Sequence, residues 1–195
     1  MPKHFSQSVI LAAGLLLPLA AAAHTGTGAV QGFTAGLLHP LLGFDHLLTM
    51  LAVGVWAVYL GGRAAGLLPL SFIGLMTVGA GLGFGGIALP HAESGVTLSV
   101  TVLGLALWRG WHLPVWLAGT MTAGFAVFHG YVHAAEADTV GGESLAYLQG
   151  FLCTTAVLHV IGMGLGQLTR SVAPGRQLFG LVCTGTGLYW LLQAA

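Results

Sequence analysis

The stretch His39-Pro-Leu-Leu-Gly-Phe-Asp-His46 places two imidazoles and one carboxylate inside a long apolar run. An ionisable side chain is costly to bury in such surroundings, so it marks a candidate functional site. The same stretch contains Pro40, which removes a helix hydrogen bond, and Gly43, which weakens the next turn. The stretch therefore predicts both a polar site and a break in a helix.

The chain around this stretch is almost free of charge. Of its 195 residues, 56% are hydrophobic and 5% are charged, and the mean hydropathy is +0.90. Such a chain would be insoluble as a globule, so we predict an all-α integral membrane protein with the lipid bilayer as its first partner. With zero net charge and five Lys plus Arg in total, it has no electrostatic footprint for nucleic acid.

Residues 1–23 have the layout of a secretory signal peptide. Lys3 and His4 precede a short apolar run, and alanines at 21–23 supply a small-residue cleavage site. We expect cleavage after Ala23, which leaves residues 24–195 as one transmembrane domain beginning at His24. The alternative is an uncleaved anchor, but the apolar core is shorter than the roughly 20 residues of a spanning helix.

The mature chain predicts six transmembrane helices, of which the first is broken. Residues 30–60 would form a straight helix of about 45 Å, against a hydrocarbon core of roughly 30 Å. We therefore expect a break near Pro40 and Gly43, with a short helix over 30–39 at the membrane face and a crossing over 44–60. The other crossings are expected at 64–89, 94–108, 113–135, 144–168 and 175–194.

Charged loops indicate the orientation of these crossings. Every arginine falls in loops on one side: Arg63, Arg109, Arg170 and Arg176. The loops on the other side hold Glu93, Asp138 and Glu143. Since cytoplasmic loops are enriched in basic residues, we expect both mature termini in the periplasm of a bacterial inner membrane. The first crossing then enters from the outside, with its histidine-rich stretch in the outer half of the membrane.

A second polar group lies at the outer end of the fourth crossing. His129 and His133 are spaced i, i+4 and Glu136 follows at i+7, so the three share one helix face. Imidazoles suit divalent transition metals such as nickel, copper, zinc and cobalt. Asp45 and Glu136 would either ligate the ion or orient a histidine by accepting its other ring proton, and both roles stay open. The two groups together predict metal or proton handling, in which His39 either shares one ion with Asp45 and His46 or forms a separate, earlier stop.

Other histidines and sulfur-bearing residues carry weaker signals. We expect His112 and His159 to make packing hydrogen bonds between helices, and Cys153 and Cys183 to be buried thiols that pack as small hydrophobes rather than form a disulfide. His24 and His91 are candidate ligands at the mouth of a path, although a flexible terminus and a solvated loop explain them more simply. A deeper path has four candidates, each also explained by packing: Met50, Cys153, His159 and Met163.

The two polar groups resemble those of the HupE/UreJ family, small membrane permeases associated with nickel supply to hydrogenase and urease. The resemblance rests on the H-x5-D-H pattern at 39–46, on Phe128-His129-Gly130 followed by His133 and Glu136, and on the signal peptide and six crossings. It covers essentially the whole mature chain. It implies transported Ni²⁺, or Co²⁺, with no permanent cofactor. It also implies that His39, Asp45 and His46 are required for transport, with the second group as helpers.

The chain has no means of hydrolysing nucleotide on its own. No lysine remains after residue 23, so the lysine of a nucleotide-binding P-loop is missing. We therefore expect a permease rather than an enzyme. The permease would move a divalent ion from periplasm to cytoplasm, either down its gradient or coupled to protons. A homo-oligomer is an open alternative, since the glycine-rich helix faces suit dimerisation and internal packing equally.

Two other functions compete with this prediction. One is a membrane cytochrome with a haem held between histidines of the first and fourth crossings. The other is a non-transporting accessory subunit that delivers metal to a periplasmic partner. An intramembrane hydrolase is disfavoured because the chain has no G-x-S-x-G motif.

Overall fold

The computed structural model describes residues 32–136, 144–171 and 174–193. All regular structure in these residues is α-helical, as the sequence predicts. The seven helices are α1 (Phe33–Leu42), α2 (Phe44–Leu60), α3 (Ala64–Phe84), α4 (Ala92–Arg109), α5 (Val115–Glu136), α6 (Ser144–Ser171) and α7 (Gly175–Gln193). The predicted signal peptide, residues 1–23, lies outside the described residues.

The predicted break in the first crossing falls at Gly43. There α1 and α2 meet at 82°, and Gly43 itself is extended, with φ −87° and ψ 109°. Pro40 lies inside α1, two residues before its end, and has no N–H to donate to the carbonyl of Gly36. The short helix is therefore shifted from the predicted 30–39 to Phe33–Leu42, while α2 begins and ends as predicted.

The bend folds α1 back along the first half of α6. The hydroxyl of Thr154 donates to the carbonyl oxygen of Leu37 at 2.8 Å. Gly36 allows the two backbones to touch, because a Cβ at this position would overlap the carbonyl oxygen of Tyr147. This packing holds the last turn of α1, which carries His39, beside α5 and α6.

The central helix of the bundle is α2. It contacts α3, α4, α6 and α7, while α3 pairs with α5 and α4 pairs with α7 around it. The side chains of Met50, Val53 and Trp56 have no exposed surface, and the Trp56 indole N–H donates to the carbonyl oxygen of Trp111 at 3.1 Å. Polar groups carried by α2 therefore face other helices rather than the surroundings.

Helices α3 and α5 approach backbone to backbone. A Cβ at Gly79 would overlap the carbonyl oxygen of Val127, and one at Gly130 would overlap that of Met76. Small residues permit this close packing between apolar helices. Because Gly130 follows His129 directly, the same contact sets the position of the histidine in the bundle.

Helix α3 ends earlier than the sequence predicts. The expected crossing ran to residue 89, whereas the helix ends at Phe84. Gly85 and Gly86 follow, and Gly86 has a positive φ of 65°, which a helix cannot continue through. The remaining predicted crossings coincide with α4 to α7 to within three residues at each end.

The outside of the bundle is apolar. Leu70, Trp116, Leu168 and Leu192 are 69% to 80% exposed. By length and composition, Ala64–Phe84 and Ser144–Arg170 are each apolar enough to cross a membrane, and the bent α1–α2 pair makes a third if it is one span. Helices α4, α5 and α7 are less apolar along their length than these two, and they carry buried serine, threonine or histidine.

Two arginines close one end of the bundle. The guanidinium of Arg170 donates to the carbonyl oxygen of Val58, and that of Arg176 donates to the carbonyl oxygen of Leu107. These carbonyls belong to the last turns of α2 and α4, where no helical N–H is available to them. Arg176 also lies over the ring of Tyr59, 4.2 Å from its centroid. We call these five residues the arginine end.

Candidate metal site

Four histidines from three helices meet at the opposite end of α2. We call them the histidine cluster: His39 of α1, His46 of α2, and His129 and His133 of α5. The ring centroid of His46 lies 3.8 Å from that of His133 and 4.6 Å from that of His129. His39 joins through His133, at 4.3 Å. The two polar groups that the sequence places at one depth are thus in direct contact.

Asp45 orients the imidazole of His46. One carboxylate oxygen, Oδ1, is 2.6 Å from the ring Nδ1 of His46 and 2.8 Å from its backbone N. When a carboxylate accepts a hydrogen bond from Nδ1–H, the lone pair of the neutral imidazole is on Nε2. That Nε2 atom is buried and has no hydrogen-bond partner among the described residues. His46 therefore presents an acceptor nitrogen to the cluster.

His129 is held from the other side of the cluster by the hydroxyl of Ser99, which in turn contacts the hydroxyl of Thr49. Its Nε2 lies 2.8 Å from Oγ of Ser99 on α4, and that Oγ lies 3.1 Å from Oγ1 of Thr49 on α2. All three side chains have no exposed surface. The other ring nitrogen of His129, Nδ1, is buried and makes no hydrogen bond to any described residue.

Sequence reasoning did not find Ser99 or Thr49. Thr49 lies three residues after His46 and so shares its helix face, which is a signal that the spacing contained. Ser99 had no such signal, because its contact with His129 depends on how α4 packs against α5.

His133 occupies the middle of the cluster. It lies between His39 and His46, and the ring of Phe151 on α6 packs against it at a centroid distance of 4.1 Å. Both of its ring nitrogens are buried, and neither has a hydrogen-bond partner in the described part of the chain. A neutral His133 thus offers one donor and one acceptor that its surroundings do not use.

A further buried histidine, His159, lies deeper in the bundle. The ring of Phe72 on α3 is 5.6 Å from His129 on one side and 5.3 Å from His159 of α6 on the other. His159 is 1% exposed, and its two ring nitrogens have no partner among the residues described. The packing hydrogen bond that the sequence predicts for His159 is therefore not present there, and one apolar ring separates it from the cluster.

The other candidates for the deeper path lie in different surroundings. Met50 is fully buried in the core, and Met163 is partly exposed. Cys153 is exposed on the surface of α6, whereas Cys183 is buried, and both thiols are free. Of these residues, Cys153 alone lies outside the interior of the bundle.

His91 lies apart from the histidine cluster. It precedes α4 in a left-handed backbone conformation, with φ 58°, and its side chain is exposed. With Glu93 and Tyr131 it lines a cavity of about 400 Å³. This position agrees with the solvated loop that the sequence favours, at the same end of the bundle as the cluster.

Three further residues complete the predicted set. His112 packs against the ring of Tyr59 at 4.5 Å, next to the arginine end and far along α2 from the cluster. Glu136 is the last residue of α5, and its side chain lies outside the described part of the structure. His24 also lies outside the described residues.

The histidine rings do not form a closed metal cage. Within residues 32–136, 144–171 and 174–193, no three His, Cys, Asp or Glu side chains converge on one ion position. The rings of His39 and His133 meet at 89°, and those of His46 and His129 at 86°. The cluster is therefore unlike the four-ligand tetrahedral sites of structural zinc.

Comparison with known proteins identifies the family. The sequence matches the family model described as HupE / UreJ protein over residues 11–190. Protein HupE of Rhizobium leguminosarum bv. viciae is 42% identical over 164 residues, which cover 84% of this chain and 85% of that protein. No solved structure matches the chain.

An apolar exterior around buried histidines defines a small helical membrane protein. The chain belongs to the HupE/UreJ family. The resemblance seen in the sequence is thereby confirmed over nearly the whole length. Members of this family are transport or accessory proteins rather than enzymes, as the sequence also predicts.

Proposed function

We propose that the protein is a permease for a divalent transition-metal ion, with nickel as the first candidate and cobalt as the second. The observation that carries the proposal is a set of four buried nitrogens in one place that have no hydrogen-bond partner among the described residues: Nε2 of His46, Nδ1 of His129 and both ring nitrogens of His133. A buried polar atom without a hydrogen bond costs about 1–3 kcal/mol. A bound ion would use these nitrogens, because imidazole is a preferred ligand of nickel and cobalt.

The two motifs would then act on one ion. The bend at Gly43 brings α1 back to α5, so that His39 shares the site with His46 instead of forming a separate, earlier stop. Asp45 holds His46 in one tautomer and contributes a negative charge beside the cation. Glu136, at the end of α5, would serve at the mouth of the site.

The direction of transport follows from the topology that we propose. The bent α1–α2 pair and helices α3 to α7 make six crossings, after a signal peptide over residues 1–23 and within one domain over 24–195. The least apolar helices, α4, α5 and α7, have 18, 22 and 19 residues, close to the length that a bilayer requires. The arginine end would face the cytoplasm of an inner membrane, with both termini in the periplasm. The ion would then enter at the histidine cluster.

The ion would leave the cluster inward, past Phe72 to His159. A permeant ion has to bind well enough to shed water and weakly enough to move on. Imidazoles in mutual contact, without a closed cage, suit such a series of weak sites better than permanent retention of the metal. The movement needs no ATPase in this chain, and it would be passive or coupled to protons carried by the histidines.

The contact between His46 and His129 argues against the competing function, a membrane cytochrome. The rings of His46 and His129 already touch, with centroids 4.6 Å apart, which leaves no space for a porphyrin between them. The accessory role differs from the permease only in whether the ion crosses the bilayer. Transport by the isolated protein therefore decides between the two.

Purified protein in liposomes provides the test. Radioactive nickel uptake should fall to background in His46→Ala and Asp45→Asn. His112→Ala, which removes an exposed histidine beside Tyr59 at the opposite end of the bundle, should keep wild-type uptake. Unchanged uptake in the first two variants would overturn the site. A wild-type protein that binds nickel without moving it would replace the permease with the accessory role. Unlabelled cobalt and copper added in the same assay would identify the preferred ion.

A further inference from the structure

We propose that Ser99, supported by Thr49, sets the tautomer of His129 and thereby decides which of its ring nitrogens faces the ion. The tautomer of His129 is argued from the hydrogen-bond geometry alone, whereas its role in binding an ion rests on the proposed metal transport. The two hydroxyls are positioning groups: they touch the imidazole or each other, and neither is offered as a ligand.

Three polar atoms lie within hydrogen-bond distance of the Ser99 hydroxyl, which has a single proton to donate. Oγ of Ser99 lies 2.6 Å from the carbonyl oxygen of Val96, 2.8 Å from Nε2 of His129 and 3.1 Å from Oγ1 of Thr49. A backbone carbonyl can only accept a hydrogen bond. Two oxygens at 2.6 Å repel each other unless a proton lies between them, so the Ser99 proton points at Val96.

The other two neighbours must then donate to Ser99. The Thr49 hydroxyl donates a hydrogen bond to Ser99 Oγ, and His129 carries its ring proton on Nε2, from which it donates to the same oxygen. The lone pair of His129 is therefore on Nδ1, the buried atom without a described partner. The opposite tautomer would set the Nε2 lone pair of His129 against an oxygen with no proton left to give.

The result matches the arrangement at His46. There Asp45 accepts a hydrogen bond from Nδ1–H and leaves Nε2 as acceptor, whereas Ser99 accepts a hydrogen bond from Nε2–H of His129 and leaves Nδ1 as acceptor. Two rings in contact thus each keep an acceptor nitrogen buried in the site. Metal-binding histidines are commonly oriented in this way, by an acceptor on the nitrogen away from the metal. A charged acceptor acts on one ring and a neutral hydroxyl on the other.

The tautomer can be measured without metal. Nitrogen-15 NMR of histidine-labelled, metal-free protein in lipid nanodiscs distinguishes Nδ1–H from Nε2–H, and the His129 signals are those lost in His129→Gln. We expect the Nε2–H form in the wild type and in Ser99→Thr, and a mixture or the opposite form in Ser99→Ala. A wild-type His129 protonated on Nδ1 would overturn the proposal, whatever the protein transports.

The effect on the ion is measured by equilibrium dialysis with nickel. Ser99→Ala should weaken nickel binding by about 10- to 100-fold, and Ser99→Thr should restore most of it. Thr49→Val, which removes the second hydroxyl at nearly constant volume, should have a smaller effect in the same direction. The matched control is Thr122→Ala, because Thr122 is also fully buried, lies two turns before His129 on α5, and bonds only to carbonyls of its own helix.

The outcomes separate this proposal from the proposed function. Equal nickel affinities in Ser99→Ala and Thr122→Ala would overturn the role of Ser99. If Ser99→Ala fails to insert, the wild-type tautomer and the Thr49→Val affinity still decide the question. A wild type with the expected tautomer but no nickel binding would overturn metal transport and the purpose assigned to Ser99, while the tautomer assignment stood.

Discussion

The histidine cluster and the arginine end treat buried polar groups in opposite ways. At the arginine end each guanidinium donates to a helix carbonyl, and Arg176 also covers the ring of Tyr59. In the histidine cluster four ring nitrogens have no partner within the described residues. Satisfied polar groups stabilise a fold and unsatisfied ones destabilise it. The comparison teaches that the polar groups of the arginine end are satisfied within the fold, whereas the histidine cluster keeps hydrogen-bonding capacity that the metal site proposed above would use.

The largest expected effect is on transport by His133→Leu. This change removes two nitrogens that have no partner in the described part of the chain, so nickel uptake should fall to background. The same change should stabilise the metal-free protein by about 1–3 kcal/mol, because a buried polar cost is lost. Uptake in liposomes and the midpoint of thermal unfolding in detergent measure the two effects. Normal uptake with lowered stability would make the cluster an ordinary structural site.

A change at the arginine end should have the opposite signature. Arg176→Gln removes a charged hydrogen bond to Leu107 and the contact with Tyr59, and should lower stability by about 1.5–3 kcal/mol. Uptake per inserted molecule should remain at the wild-type level. Arg109→Gln is the control, since Arg109 is exposed, and it should change stability by about 0.5 kcal/mol or less. The comparison would break if Arg176→Gln abolished uptake without loss of stability.

A substitution at Gly43, where α1 and α2 meet, should have a smaller and more local effect on uptake. A Cβ at Gly43 would lie 3.1 Å from Oδ1 of Asp45 and 3.1 Å from Nδ1 of His46. Gly43→Ala should therefore push this pair apart and reduce nickel uptake by about tenfold or less. Gly81→Ala is the matched control, because a Cβ at Gly81 meets nothing within 4 Å. Equal uptake by the two variants would show that the Asp45–His46 contact tolerates displacement.

The smallest effect is expected at Cys153. The sequence includes it among candidates for the deeper path, but its side chain is exposed on the surface of α6. Cys153→Ala should change stability by no more than about 0.5 kcal/mol and leave uptake unaltered. A clear loss of uptake, measured beside His159→Ala in the same liposomes, would bring the outer face of α6 into the path.

Helix positions could be read from the sequence because apolar length and chain breakers determine them. The bounds of α2 and the break at Gly43 were predicted from one overlong run with Pro40 and Gly43 inside it. The early end of α3 was not, since a five-residue apolar tail after Phe84 looks the same in sequence whether helical or not.

The site could be predicted only in part, for a similar reason. Spacing on α5 placed His129 and His133 on one face, and loop charges placed them level with His46. The partners Ser99 and Phe72 come from helices whose rotation in the bundle depends on packing, which one apolar sequence does not specify. The predicted burial of the Cys153 thiol was wrong for the same reason, because α6 is apolar on most of its faces.

X-ray absorption at the nickel edge of the loaded, purified protein tests the central claim most directly. If imidazole nitrogens of the histidine cluster bind the nickel, the spectrum should contain the scattering of imidazole rings around the metal. The number of imidazole ligands should fall in His46→Ala and in His129→Ala and stay unchanged in His112→Ala. Nickel surrounded by oxygen alone, or an unchanged spectrum in His46→Ala and His129→Ala, would contradict the account.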